Sequence, residues 1–151
     1  DTAFLWCGLP TAETFTDCFE TDENGFIFAR AETVATTSSL LLVRGDINTA
    51  STTDSYPLRG QVIGFESLPQ ILSFVQSLEA FGTPLTAVTI RGDEVDLFAE
   101  SGTRITFVLG QEAQALKDAR AALPTLNLMD GSIDYIDLRF DGKVYLKRKG
   151  E

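Results

Sequence analysis

The residues of this chain best suited to acid–base chemistry are six carboxylates in two clusters: Asp93, Glu94 and Asp96, then Asp130, Asp134 and Asp137. Hydrolysis of a glycosidic bond needs two carboxyl groups that face each other across a cleft. Asp93 and Glu94 fall at a predicted hairpin turn, where charged side chains are normally solvated. Asp137 falls inside a predicted strand, where its simpler role is to pair with Arg139 or Arg104 or to accept backbone N–H groups. We therefore expect no catalytic activity.

The sequence contains no histidine. Histidine is the usual general base and the commonest metal ligand, so Ser-His-Asp and Cys-His arrangements are excluded within one chain. A zinc site of cysteine and histidine is excluded as well, because two cysteines alone cannot complete one. The chain also lacks a glycine-rich phosphate-binding loop. We expect no metal, no cofactor and no small-molecule substrate.

Cys7 and Cys18 are the two cysteines, eleven positions apart. Two strand ends joined by a loop could bring them within bridging distance, but the sequence cannot show that, and two buried free thiols are the alternative. A disulfide would stabilise the fold by roughly 3 kcal/mol according to loop entropy. It would also indicate an oxidising compartment.

The charge of the chain is unevenly spread. The net charge is −10, which argues against nucleic acid and against an anionic membrane surface as partners. Five of the twelve basic residues nevertheless lie in the last thirteen positions, against two acidic ones, which makes that end +3. This end is either a frayed basic tail or a basic edge that meets an acidic partner.

The last seventeen residues predict a β-hairpin. Two strand-like runs flank Asp141-Gly142, and Asp-Gly between such runs is a strong hairpin signal. The second run ends the sequence and alternates lysines and a tyrosine with apolar residues, which is typical of a sheet edge able to accept a partner strand. We predict these partner-binding residues: Tyr135, Ile136, Leu138, Phe140, Lys143, Val144, Tyr145, Leu146 and Lys147. Tyr135 and Tyr145 are the leading contacts, unless they are ordinary strand aromatics that cover the core.

The elements that position this hairpin alternate between sheet and helix. Short strands are predicted at residues 2–6, 17–21, 25–30 and 40–43, with a type I′ turn at Asn24-Gly25. Helical spacing of apolar residues predicts one helix from an N-cap at Ser67 to Gly82 and a second over 111–123. Between the helices, strands at 85–91, 95–99 and 103–109 form a β-meander. The order predicts an α+β fold, a mixed or antiparallel sheet of hairpins and a meander with two helices packed on one face.

Two motifs resemble the bacterial cell-division family FtsQ/DivIB. Tyr135-Ile136-Asp137-Leu138-Arg139-Phe140 is similar to the closing motif of that family. Ala3-Phe4-Leu5-Trp6, followed after an insert by Thr21 to Phe28, is similar to its strand, turn and aromatic strand. The order of elements between the two motifs fits over nearly the whole chain. The chain differs from some relatives in having no tryptophan near its end, and its Thr/Ser-rich loop at 46–60 has no clear counterpart.

The resemblance implies a domain organisation and a function. Residues 1–14 would be the remnant of a POTRA strand and a linker, and residues 15–151 the family's β domain. The parent would be a single-pass membrane protein of which this sequence is a fragment, at the extracytoplasmic face of the cell membrane and at the division septum. Its end would capture FtsB, complexed with FtsL, by strand addition. The family acts as a non-catalytic divisome scaffold for septal peptidoglycan synthesis.

The loop at residues 46–60 supports an alternative. The chain would then be a secreted adhesion or inhibitor-type module that binds through this loop. Changes in the loop would abolish binding in that case, whereas the hairpin would tolerate changes.

Overall fold

The computed structural model of this chain describes residues 1–15, 17–32, 40–49, 56–82 and 84–150. The chain divides into two compact units. Unit 1 comprises Asp1–Leu68 and Ala87–Arg91, and unit 2 comprises Pro69–Thr86 and Gly92–Glu151. No helix in the described ranges is long and apolar enough to cross a membrane.

Unit 1 is built from short strands. Their bounds are β1 Phe4–Trp6, β2 Phe19–Thr21, β3 Ile27–Arg30, β4 Leu42–Arg44, β5 Ile47–Asn48, β6 Gln61–Val62 and β7 Leu85–Arg91, of which the last five residues belong to this unit. The strand order is β7-β4-β1-β2-β3, with β5 and β6 paired separately. β4 runs parallel to both β1 and β7, whereas β2 runs antiparallel to β1 and β3. The sheet of this unit is therefore mixed.

The turn between β2 and β3 differs from the predicted type I′ turn. A type I′ turn needs positive φ at both central residues, but of Asn24 and Gly25 only Gly25, at φ +79°, has it. The amide of Gly25 donates to the carbonyl of Asp22, and the Asp22 carboxylate accepts from the amides of Asn24 and Phe26. The aspartate side chain thus organises a longer turn that needs only one left-handed residue.

A covalent link closes the core of unit 1. Cys7 and Cys18 form a disulfide between the end of β1 and the start of β2. Leu5 packs with these two cysteines in the buried cluster. Trp6 is buried as well, and its indole Nε1 donates to the carbonyl of Gly45 at 2.9 Å. Apolar burial and the disulfide together stabilise this unit.

Unit 2 contains both helices and the closing hairpin. Its elements are α1 Leu68–Glu79 apart from the first residue, β8 Glu94–Ala99, β9 Arg104–Val108, α2 Glu112–Ala122, β10 Ile133–Phe140 and β11 Lys143–Arg148. A 3-10 turn at Phe65–Ser67 leads into α1, and another at Leu123–Thr125 ends α2. The strands follow the order β11-β10-β9-β8. β9 is antiparallel to β8 and parallel to β10, so this sheet is mixed too.

The helices of unit 2 pack on its sheet. The rings of Phe74 on α1 and Phe107 on β9 lie 4.2 Å apart between centroids. The α2 residues Ala115 and Ala119 are buried, and α2 contacts β9, β10 and β11. Small residues on α2 let the helix lie close to the strands. The predicted α+β class, with a mixed sheet and two helices, is confirmed.

The loop predicted at 46–60 is partly regular. β5 lies inside it and pairs with β6 just beyond it. Residues 50–55 of this loop lie outside the described residues. The proposed boundary between residues 14 and 15 and the binding role of the loop both stay predictions.

Candidate partner-binding edge

The closing hairpin places β11 at one end of the sheet of unit 2. Asp141-Gly142 is the two-residue connection, with Phe140 opposite Lys143. Gly142 takes φ +73°, a left-handed conformation that glycine adopts at little cost. Among the described strands, β11 pairs only with β10. One side of β11 is therefore an edge, and the basic residues predicted as a frayed tail or an edge lie in a strand as far as Arg148.

The two faces of this hairpin differ in burial. Ile136 lies opposite Leu146, and Ile136 is fully buried, as is its parallel neighbour Ile105. Leu138 is buried too. The side chains of Ile136 and Leu138, both predicted as partner contacts, therefore belong to the core, whereas Val144 and Leu146 are half-buried beside it.

The opposite face carries the polar and aromatic side chains. Tyr135 lies opposite Lys147, and Asp137 lies opposite Tyr145. Tyr145 is 49% exposed, and Lys143 is exposed two positions before it. Side chains alternate between faces along a strand, so Lys143, Tyr145 and Lys147 form one row. This row and Phe140 form the accessible part of the predicted site.

The backbone of β11 has a defined outward side. The amide of Lys149 donates to the carbonyl of Ser132, so that amide faces β10. Backbone groups alternate in direction along a strand, and β11 itself contains no extra residue in its pairing with β10. The amides and carbonyls of Tyr145 and Lys147 therefore face β10. Those of Val144 and Leu146 point away from it, toward the place where an added strand would lie.

An aromatic pair stands at the turn end of this edge. The rings of Phe140 and Tyr145 meet edge to face, with centroids 5.4 Å apart and planes at 87°. Both rings are close to half exposed. The guanidinium of Arg139 lies 5.4 Å from the Phe140 ring. A half-exposed aromatic pair is a surface that partners commonly use as an anchor.

Tyr135 is held from the side of β9. The Arg104 guanidinium lies 5.2 Å from the centre of its ring, which is a cation–π distance. On the other side, Lys147 Nζ lies 4.0 Å from Asp134 Oδ2, a long and exposed ion pair. Such a pair contributes little, and the lysine can exchange it for another carboxylate. Tyr135 is thus half-buried within the sheet face, and Tyr145 is the more accessible of the two tyrosines.

Asp137 forms an ion pair with Arg139. Burial disfavours its charge, but the Arg139 guanidinium and the Arg139 amide hold the pKa of Asp137 below its usual value. The Nη1 atom of Arg139 also donates to Glu94 Oε2 at 3.0 Å. These two carboxylates therefore share one arginine, which ties β10 to β8. The partner Arg139 was expected from the sequence, but Glu94, 45 positions away, was not.

Both ends of the hairpin are anchored to other elements. At the turn, the amide of Gly142 donates to Asp118 Oδ2 on α2 at 3.2 Å. At the open end, the Thr103 hydroxyl donates to the carbonyl of Ile133 at 2.8 Å. The hydroxyl of Ser101 donates to the carbonyl of Leu128 at 2.6 Å, just before the hairpin begins. Sequence reasoning missed all three, because no local pattern marks a side chain that bonds to a distant backbone.

No known protein family matches this chain, and no curated protein matches it significantly.

Proposed function

We propose that this chain is a non-catalytic binding domain of the FtsQ/DivIB type, which adds a strand from an FtsB–FtsL partner to its edge strand β11. The observation that carries the proposal is that β11, among the described strands, has a single neighbour. Main-chain hydrogen bonds to Val144 and Leu146 would give affinity, and the row of Lys143, Tyr145 and Lys147 would select the partner.

The chemistry of the edge favours an acidic partner strand. Lys143 and Lys147 flank Tyr145 on one face of β11 and discourage pairing with another copy of the same edge. The remainder of the chain is acidic, so these lysines stand out against a net charge of −10. A partner strand with carboxylates at alternate positions would pair with them, and the association rate would fall as salt is added.

The disulfide in unit 1 agrees with the proposed location. Structural disulfides form and persist in oxidising compartments and are rare in the cytosol. Cys7 and Cys18 are both nearly fully buried within their cluster. The disulfide supports an oxidising location, and the one we propose is the extracytoplasmic face of the membrane, where a scaffold for septal peptidoglycan synthesis would act.

The test removes one outward amide from β11 and leaves the hairpin intact. Proline is tolerated on an edge strand when the amide that it lacks faces away from the sheet, so Val144→Pro keeps the ladder to β10. Val144→Thr is the matched control, because threonine has the same shape and keeps the amide. Binding to the soluble FtsB–FtsL segment from the same genome is measured by calorimetry, and folding by circular dichroism.

We expect the intact chain and Val144→Thr to bind within about threefold of each other, and Val144→Pro to bind at least about 30-fold more weakly, since it loses a main-chain bond and gains a clash. Equal binding by the proline variant would reject strand addition at β11. Absence of binding by the intact chain, despite a cooperative melt, would reject the divisome partner altogether.

A further inference from the structure

Asp118 is a buried carboxylate that no part of the proposed binding reaction uses directly. It lies on α2 and is 8% exposed. A buried charge must be compensated by hydrogen bonds, and here the Gln114 side-chain amide donates to Oδ1 at 3.1 Å while the Gly142 amide donates to Oδ2 at 3.2 Å. Its second bond therefore reaches from the helix to the hairpin turn, 24 positions along the chain.

The Gly142 amide lies in the turn and takes no part in the pairing of β10 with β11. Phe140 and Lys143 close the ladder on either side of the turn, and Gly142 lies between them in a left-handed conformation. Because the turn is exposed, its amide could as easily bond to water. The bond to Asp118 instead fixes the turn relative to α2.

We propose that Asp118 is a positioning residue that pre-organises β11 for strand addition. The inference rests on the proposed function of that edge. The carboxylate reaches the hairpin through the amide of Gly142 in the turn, not through the outward amides of Val144 and Leu146 that an added strand would use. Asp118 would reduce the conformational entropy that β11 loses on binding, because an edge strand that is already ordered loses less freedom when a partner strand pairs with it.

The effect should be local. Ala115 and Ala119, which flank Asp118 on α2, are buried and keep the helix packed when the carboxylate is removed. Thr103 holds the other end of the hairpin. Loss of Asp118 should therefore loosen the turn and the start of β11 without unfolding unit 2.

The experiment compares D118A with D118N in the full chain. Asparagine keeps an oxygen for the Gly142 amide, and its own amide can donate to Gln114 after that side chain rotates. K117A, an exposed change on the same helix, controls for effects on the helix itself. Hydrogen exchange is followed at the amides of Tyr145 and Lys147, which face β10, and at Leu97 on β8 as an internal reference.

In D118A we expect exchange at Tyr145, near the turn, to accelerate about tenfold and exchange at Lys147 to accelerate less, while affinity for the FtsB–FtsL segment falls about tenfold and Leu97 is unchanged. D118N and K117A should both stay within about twofold of the parent chain. Unchanged exchange in β11, acceleration at all three amides alike, or faster exchange with unchanged affinity would each overturn the positioning role. If the parent chain does not bind the segment, the proposed function fails, and the exchange data alone decide whether Asp118 orders the edge.

Discussion

The two outermost strands of the described sheets, β3 in unit 1 and β11 in unit 2, are treated in opposite ways. Along β3, the amide of Ile27 donates to the carbonyl of Gly60, and the Ile27 carbonyl accepts from the amide of Arg59. The chain thus covers the Ile27 end of this edge with its own backbone. Along β11, the outward groups of Val144 and Leu146 meet no other strand among those described.

The difference is that backbone hydrogen bonds from another segment of the chain protect the edge at β3, whereas none of the described strands does so at β11. β3 is also short, and its pairing with β2 is interrupted by a bulge next to Glu20. Short strands, bulges and covering segments are the usual protection against unwanted pairing. On β11 no covering segment of backbone is seen among the described strands, and its lysines repel a second copy but not an acidic strand. An edge that is selectively open is what strand addition requires.

The largest effect should come from reopening the closed edge. Ile27→Pro removes the amide bonded to Gly60 and a fully buried side chain, so we expect it to lower the free energy of unfolding by at least about 4 kcal/mol. Urea unfolding measures the change, with Ile27→Val as a control that should cost about 1 kcal/mol. If Ile27→Pro lowered the free energy of unfolding no more than Val144→Pro does, the proposed contrast between the two edges would be wrong.

A somewhat smaller effect should follow from opening the disulfide. The C7S and C18S double variant loses the link between β1 and β2, and we expect it to be less stable by about 3 kcal/mol. Hydrogen exchange should accelerate in β2 and β3 and stay unchanged in β11, because the link lies within unit 1. Uniform acceleration through both units would show instead that the two edges share one unfolding event.

The smallest effect, and the one that depends on pH, concerns Arg139. Arg139→Met removes the partner of Asp137 and Glu94 while keeping much of the side-chain length. We expect a loss of about 1 kcal/mol at pH 7, limited because about a third of the arginine is exposed to screening water. The comparison uses urea unfolding of both chains at pH 7 and at pH 2.5.

The sign of the pH effect follows from Asp137. Its pKa is lowered in the folded chain, so its contribution to stability is complete above the unfolded value of about 4 and is lost as the pH falls through the lowered folded value. The difference between the parent chain and Arg139→Met should therefore shrink at pH 2.5. An undiminished difference in acid would mean that packing of the arginine stem, rather than its charge, stabilises the hairpin.

Local patterns were enough to locate most elements of the fold. Alternation on either side of Asp141-Gly142 predicted β10 and β11 within one or two residues, and apolar residues at helical spacing predicted α1 and α2. The two-residue strands β5 and β6 were missed, because a strand of that length has no periodicity to detect. The Asn24-Gly25 turn was misjudged because the sequence could not show that Asp22 would bond to the turn amides.

The sequence alone could not predict which segments far apart in the chain come into contact. The parallel pairing of β9 with β10 and of β4 with β1 joins segments between which no short turn exists to signal contact. For the candidate site, alternation identified the exposed row of β11, but it could not tell that Ile136 and Leu138 face the core. The anchors Glu94 and Asp118 are contacts across the fold, and only the structure brings them to the hairpin.

The two irregular pairings between β10 and β11 limit how far the sheet can grow. Each falls where β10 contributes one residue more than β11, once between Ile133 and Tyr135 and once between Asp137 and Phe140. Extra residues of this kind increase the local right-handed twist. A straight partner strand added to β11 would therefore stay paired with it for only a few residues before the twist separates the two strands. The same twist would prevent copies of the chain from stacking edge upon edge into a fibre, because cross-β growth needs long, flat strands.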